Sequence, residues 1–215
     1  MPAYTMILRI LTAFLFLMSA ASGSNAESAV QFSWAVLTDT ATGLRPLDFS
    51  APPKLKTGTT LQIYIEQKPG AFIYLYLIDS TGGLTFVFPG DTEYYNSAKP
   101  SDRIFRIPPD TARFELMPPG GQEKLYLLAS PARLTGLENL TAAFLGKPDD
   151  KDLRAGVIRE LKLLRRRHSS LSQKTETSVP VAGTIRSRGG DDGSFEAIHV
   201  KADGFYSRIL RIDHD

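Results

Sequence analysis

Catalysis and metal binding need side chains that take up a proton, attack a carbon or hold a cation, and this sequence offers few of them. It has three histidines, His168, His199 and His214, and no cysteine. Without thiols there are no disulfides, no cysteine-ligated zinc, no iron–sulfur clusters and no thiolate nucleophiles. A serine or threonine nucleophile needs a base within hydrogen-bond reach and a third group that orients the base. His168 closes a basic run beside Ser169 and Ser170, and sequence neighbours at a helix end are poorly aimed at one another. The chain after residue 26 holds no G-x-S-x-G motif. His199 lies inside FEAIHVK and His214 is next to the C-terminus. These read as surface or strand histidines, and no catalytic residue is assigned.

Carboxylates cluster at Asp149-Asp150, at Asp191-Asp192 and at Asp213-His214-Asp215. Calcium needs several oxygens converging at alternate loop positions. Adjacent acids do not supply that, and the favoured readings are a helix N-terminus attracting negative charge, a loose turn and a solvated tail. No metal and no cofactor is expected. Lys162, Arg165, Arg166 and Arg167 form a basic cluster that could touch an anionic partner such as lipid headgroups, a cell-wall polymer or an acidic protein. Cations at a helix C-terminus need no partner, however, because they oppose the helix dipole. The surface loop Pro89 to Pro100, PGDTEYYNSAKP, is the binding candidate: Asp91, Tyr94 and Tyr95 place aromatic anchors beside acidic groups. The competing reading has one tyrosine plugging the end of the fold while the other lies on the surface. Asn139-Leu140-Thr141 matches a glycosylation sequon but falls inside an expected helix.

The elements that must position these groups are legible in the spacing of apolar residues. FSWAVLT (Phe32 to Thr38) and LQIYIE (Leu61 to Glu66) alternate as half-buried strands. FIYLYLI is apolar on both faces, which predicts a central strand covered on each side. Asp79 to Gly83 turns it into LTFVF, and the pair reads as the central hairpin of a β core. Shorter strands are predicted at Ile104–Ile107, Arg113–Leu116 and Lys124–Ser130, punctuated by Pro108-Pro109 and Pro118-Pro119-Gly120-Gly121. Thr135 and Glu138 have the spacing of a capping box, opening a helix that Gly146 and Pro148 stop. A second helix runs from Asp149 or Asp150 to about Ser169, with Leu153, Val157, Leu161 and Leu164 in one stripe. His168 to Pro180 reads as a polar loop, followed by three strands, VAGTIRS, FEAIHVK and FYSRILRI.

Length and charge bound the rest. A chain of 215 residues suits one domain with an appendage. With 25 basic against 23 acidic residues there is no basic field for nucleic acid. Residues 1–26 have the order of a secretory signal: a basic start at Arg9, an apolar run from Ile10 to Ala21 and small residues before a cleavage site at Ala26, with Ala21 as the alternative. That run is short of the ~20 residues a spanning helix needs. Lacking a cysteine, the exported protein would not be a lipoprotein.

Several of these stretches resemble the bacterial domain-of-unknown-function family 4384: FSWAVL, Leu55-Lys56-Thr57-Gly58 before LQIYIE, AFIYLYLIDSTGGLTFVFPG, Ile107-Pro108 and MPPGGQEKLYLLAS. The resemblance covers about residues 32–134 and implies a compact β-sandwich in exported bacterial proteins, often accompanying peptidase-like, kinase or repeat modules. It carries no established functional residues. The two helices and the C-terminal strands lie beyond it.

The sequence therefore predicts a mainly β protein: an Ig-like antiparallel β-sandwich over 27–134, a two-helix segment over 135–172 and a C-terminal β segment over 173–215 packing on the sandwich. The leading function is an exported, periplasmic or secreted, non-enzymatic binding or assembly module of the bacterial cell envelope. Its partner would be an envelope protein or polymer, not nucleic acid, and the mature chain has no transmembrane segment. An envelope hydrolase with an unrecognised Ser/Asp/Glu site and a self-associating structural subunit are the alternatives.

Overall fold

The computed structural model describes residues 29–41, 43–168, 174–181 and 194–215. The expected leader with Ala26, Ser169, Ser170, Asp191, Asp192 and all but the first residue of the expected VAGTIRS strand lie outside these residues.

Along the chain come β1 (Ala29–Thr40), β2 (Gly43–Pro46), β3 (Lys54–Leu55), β4 (Thr60–Gln67), β5 (Phe72–Ile78), β6 (Leu84–Phe88), α1 (Tyr94–Ser97), β7 (Arg103–Ile107), β8 (Phe114–Glu115), β9 (Gly121–Ser130), α2 (Thr135–Gly146), α3 (Lys151–His168), β10 (Lys174–Val181), β11 (Phe195–Asp203) and β12 (Tyr206–His214). They build two sheets. The first has the order β10-β11-β1-β4-β7, with β2 paired to β1 and β8 to β4. The second has the order β3-β12-β9-β5-β6. Pairing is antiparallel except where β3 runs parallel to β12. The last two strands split between the layers, β11 beside β1 and β12 beside β9.

Strand alternation decides what lies between the sheets. Phe32, Trp34 and Val36 of β1 with Leu61, Ile63 and Ile65 of β4 face Ile73, Leu75, Leu125, Leu127, Leu210 and Ile212 of the second sheet. The odd-numbered core residues of β5 thus point into the sandwich. Its even-numbered partners Tyr74 and Tyr76 point the other way and are covered by Leu137 and Phe144 of α2 and by Val157 and Leu161 of α3. This accounts for the apolar run on both faces. Burying each such large side chain contributes about 1.5–3 kcal/mol.

Four expectations change. β1 is not half-buried: Ala35 and Leu37 on its outer face pack with Tyr64, Phe195 and Ala197, and the Arg106 guanidinium lies 5.6 Å over Tyr64 and 5.2 Å over Phe195. The β5–β6 hairpin is not central, since β6 is an edge strand and β5 lies between it and β9. The capping box does not form. The N-cap is Leu134, whose side chain has no acceptor to offer, and the Glu138 carboxylate turns to the sheet, where the Tyr74 phenol and the Arg133 guanidinium bind it more strongly than one backbone amide would. Finally, 174–180 is not loop but most of β10, an edge strand on β11. Its polar KTETSVPV sequence and Pro180 suit a strand with a solvent-facing side. At α3 the acidic start works as expected: Asp150 Oδ1 accepts from the backbone N–H of Asp152 at 2.9 Å and of Leu153 at 3.1 Å.

Candidate functional site

The tyrosine loop is anchored from within. Tyr95 is 6% exposed, and its hydroxyl donates to the Ile73 carbonyl at 2.9 Å while accepting from the Ile73 N–H at 3.0 Å and from Gln67 Nε2 at 3.2 Å. The ring sits edge-on to Phe72 at 5.1 Å and to Tyr74 at 5.6 Å. Tyr95 is therefore the plug where the chain crosses from β6 to β7, and replacing it by alanine would disturb folding together with any binding. Tyr94 is half-buried, edge-on to Tyr95 at 5.0 Å and tilted against Phe88 at 6.3 Å. Its hydroxyl accepts from Arg103 at 3.3 Å. Asp91 is exposed, and its Oδ1 accepts from the Glu93 N–H at 2.8 Å, shaping the turn into α1. The three residues are neighbours, but only Tyr94 and Asp91 reach the surface.

The basic cluster divides in the same way. Lys162, Arg166 and Arg167 are exposed along α3. Arg165 leans inward with its guanidinium 6.0 Å from the Tyr126 ring, and its buried Nε has no hydrogen-bond partner among the described residues. It packs over the sheet rather than presenting a free charge. His168 stacks on Phe205 at 4.5 Å. Among the described residues no three His, Asp or Glu side chains are grouped so as to hold a metal ion, and no helix is long and apolar enough to cross a membrane.

The structure does bring together one polar row that the sequence did not suggest. Thr57 Oγ1 lies 3.3 Å from His214 Nδ1, and His214 Nε2 lies 3.1 Å from Glu123 Oε1. Hydroxyl, imidazole and carboxylate in that order resemble a nucleophilic triad. The backbone argues otherwise. An oxyanion hole would need N–H groups beside the hydroxyl, yet the Thr57 N–H donates to the Asp215 carbonyl and the Gly58 N–H to the Leu116 carbonyl, both at 2.8 Å. The His214 side chain is fully buried. The row ties β12 to β9 and to the loop after β3, and it gives the hydrolase reading no support. Ser33 and His199 lie 3.3 Å apart across β1 and β11, with no third group bonded to the ring among the described residues.

A cleft opens between the sheets. At the end where β5 turns into β6, a cavity of about 220 Å³ is floored by Val36, Leu61, Ile63, Leu125 and Ile212, all buried. Its sides are Leu77 and Val87, and its mouth is formed by Thr81, Glu115 and Met117, all exposed. Sequence chemistry explains the opening. β8 has only two residues, and the Pro118-Pro119 pair that follows Met117 cannot donate to a ladder, so no strand continues across the gap. Met117 is left 63% exposed, a flexible thioether at the lip. The turn opposite is fixed by Asp79, whose Oδ1 accepts from the Thr81 N–H at 2.9 Å, the Thr81 hydroxyl at 2.6 Å and the Gly83 N–H at 2.8 Å. A Cβ on Gly83 would come within 2.3 Å of that carboxylate. In the sequence Pro118-Pro119-Gly120-Gly121 reads as punctuation after a strand expected at Arg113–Leu116; the paired prolines directly after that short apolar segment were the available sign.

Residues 54–133 match the family described as domain of unknown function (DUF4384), which bears out the resemblance over β3 to β9. Comparison with curated proteins and with solved structures returns no match.

Proposed function

For a chain that carries a domain of unknown function (DUF4384) over residues 54–133, we propose a non-enzymatic binding module of the bacterial envelope that holds its ligand in the cleft between the two sheets. One observation carries the reading: an apolar cavity of about 220 Å³ between the sheets is reachable from the surface. Concave, mostly apolar sites with a few polar groups at the rim are where small ligands and side-chain anchors bind. Export rests on the order of residues 1–26 alone. The Tyr94 surface lies elsewhere and would be a second contact area for a larger partner.

The test is methyl NMR of the protein titrated with benzene, a probe of shape and apolarity only. Saturable shifts at Val36, Leu61, Ile63, Leu125 and Ile212 are expected, and Val87→Phe, which puts a ring into the cavity from an edge strand, should abolish them without lowering the melting temperature. Unchanged methyl spectra at saturating benzene would remove the reading. Self-association is favoured by one feature, the open edge of β7 with Ile104 58% exposed. Sedimentation that shifts with concentration, and stops doing so in Ile104→Lys, would support it.

A further inference from the structure

Resting on the reading of the inter-sheet cleft as a ligand site, we infer that its ligand has an apolar body of about eight carbon atoms ending in a cation, as an alkylammonium ion does. Size sets the body. The cavity, about 220 Å³, is half as large again as the ~150 Å³ apolar cavity known to accept benzene. Its floor offers only aliphatic side chains, so the inner part of the ligand forms no hydrogen bonds there.

Charge sets the end. Among the side chains that line the cleft are three carboxylates, Asp79, Glu115 and Glu123, and no lysine or arginine. Glu123 is engaged inside, where Oε1 takes His214 Nε2 and the Ser80 N–H, each at 3.1 Å. Asp79 and Glu115 stand at the rim. Burial works to raise the Asp79 carboxyl, but the Thr81 hydroxyl and the backbone N–H groups of Gly83 and Thr81 outweigh it and hold the group below the usual carboxylate range. It is charged at neutral pH. A ligand whose body fills the cavity must bring its end to this rim, where a cation gains two like-signed neighbours of opposite charge and an anion is repelled by both.

Three probes of equal length separate the parts of the inference: octylamine, octanol and octanoate, each titrated into the full chain at pH 7 by calorimetry below its self-assembly concentration. Only binding that Val87→Phe removes counts. Octylamine should bind at least tenfold more tightly than octanoate, with octanol between them. Glu115→Gln, a change at an exposed position, should narrow that gap at least twofold. Octanoate or octanol binding as tightly as octylamine, or a gap that Glu115→Gln leaves unchanged, overturns the cationic end while the cleft stands as a ligand site. No saturable binding by any of the three, octanol included, overturns the cleft reading and this inference with it.

Discussion

The hydroxyl of Tyr95 shows how much a single atom can decide about the meaning of a motif. It satisfies both backbone groups of Ile73 and one amide hydrogen of Gln67, all three residues being buried. Tyr95→Phe keeps the ring and deletes those bonds, and a stability loss of about 1–3 kcal/mol is expected from the polar groups left without partners. Urea unfolding of the variant measures it; a loss below a few tenths would mean that the loop relaxes to new partners. A Tyr94→Phe control, removing a hydroxyl that among the described residues accepts from the exposed Arg103, should be nearly silent. The sequence could place two tyrosines in a loop but not say which one faces in, because that depends on the path of residues 89–102 across the sheet edge. The same holds for the Thr57–His214–Glu123 row, whose members are far apart in the chain and meet only because β12 lies between β3 and β9.

Among elements, alternation and helical stripes were legible because they record what each segment buries. β4, β5, β9, β11 and β12 fall where the apolar periods put them. What was not legible was coverage by segments distant in the chain, such as the outer face of β1, or a strand whose sequence is polar because it lies at an edge, as in β10. The α2–sheet junction illustrates a third case, in which a local motif loses to a tertiary one. Tyr74 donates to Glu138 Oε1 at 2.6 Å and accepts from the Leu134 N–H at 3.0 Å, Arg133 closes the pair at 2.6 Å, and Tyr76 meets Thr141 at 2.9 Å. The phenols of β5 thus fix the register of the helix above them. Glu138→Ala, which strands the buried Tyr74 hydroxyl, is expected to cost about 1–3 kcal/mol. Hydrogen exchange should show α2 losing protection more than β9. Equal losses in both would assign Glu138 a global role instead of one at the junction.

For the molecule as a whole, buried phenols set an alkaline limit. Burial raises Tyr74, Tyr76, Tyr95 and Tyr206 well above the ordinary tyrosine range, and Glu138 and Glu176 add to the effect at Tyr74 and Tyr206. The folded state keeps these protons when the unfolded chain releases them. Their contribution is therefore complete below the unfolded value of about pH 10 and is lost as pH rises past it. Urea midpoints taken from pH 8 to pH 11 should hold level and then fall, and a midpoint unchanged at pH 11 would contradict this. The split of the last two strands between the layers has a consequence in time. Ser33 finds its cross-strand partner His199 166 residues later, and the family-matched stretch contains neither β1 nor β11 nor β12. Such long loops must close before their contacts repay the closure, so folding should be slow for a chain of this size. A chain emerging N-terminus first would hold β1 and β9 unpaired on the sides that β11 and β12 later occupy, with β5 apolar on both faces. Until its final strand arrives, the nascent chain exposes unpaired strand sides and apolar faces, the kind of surface that favours aggregation.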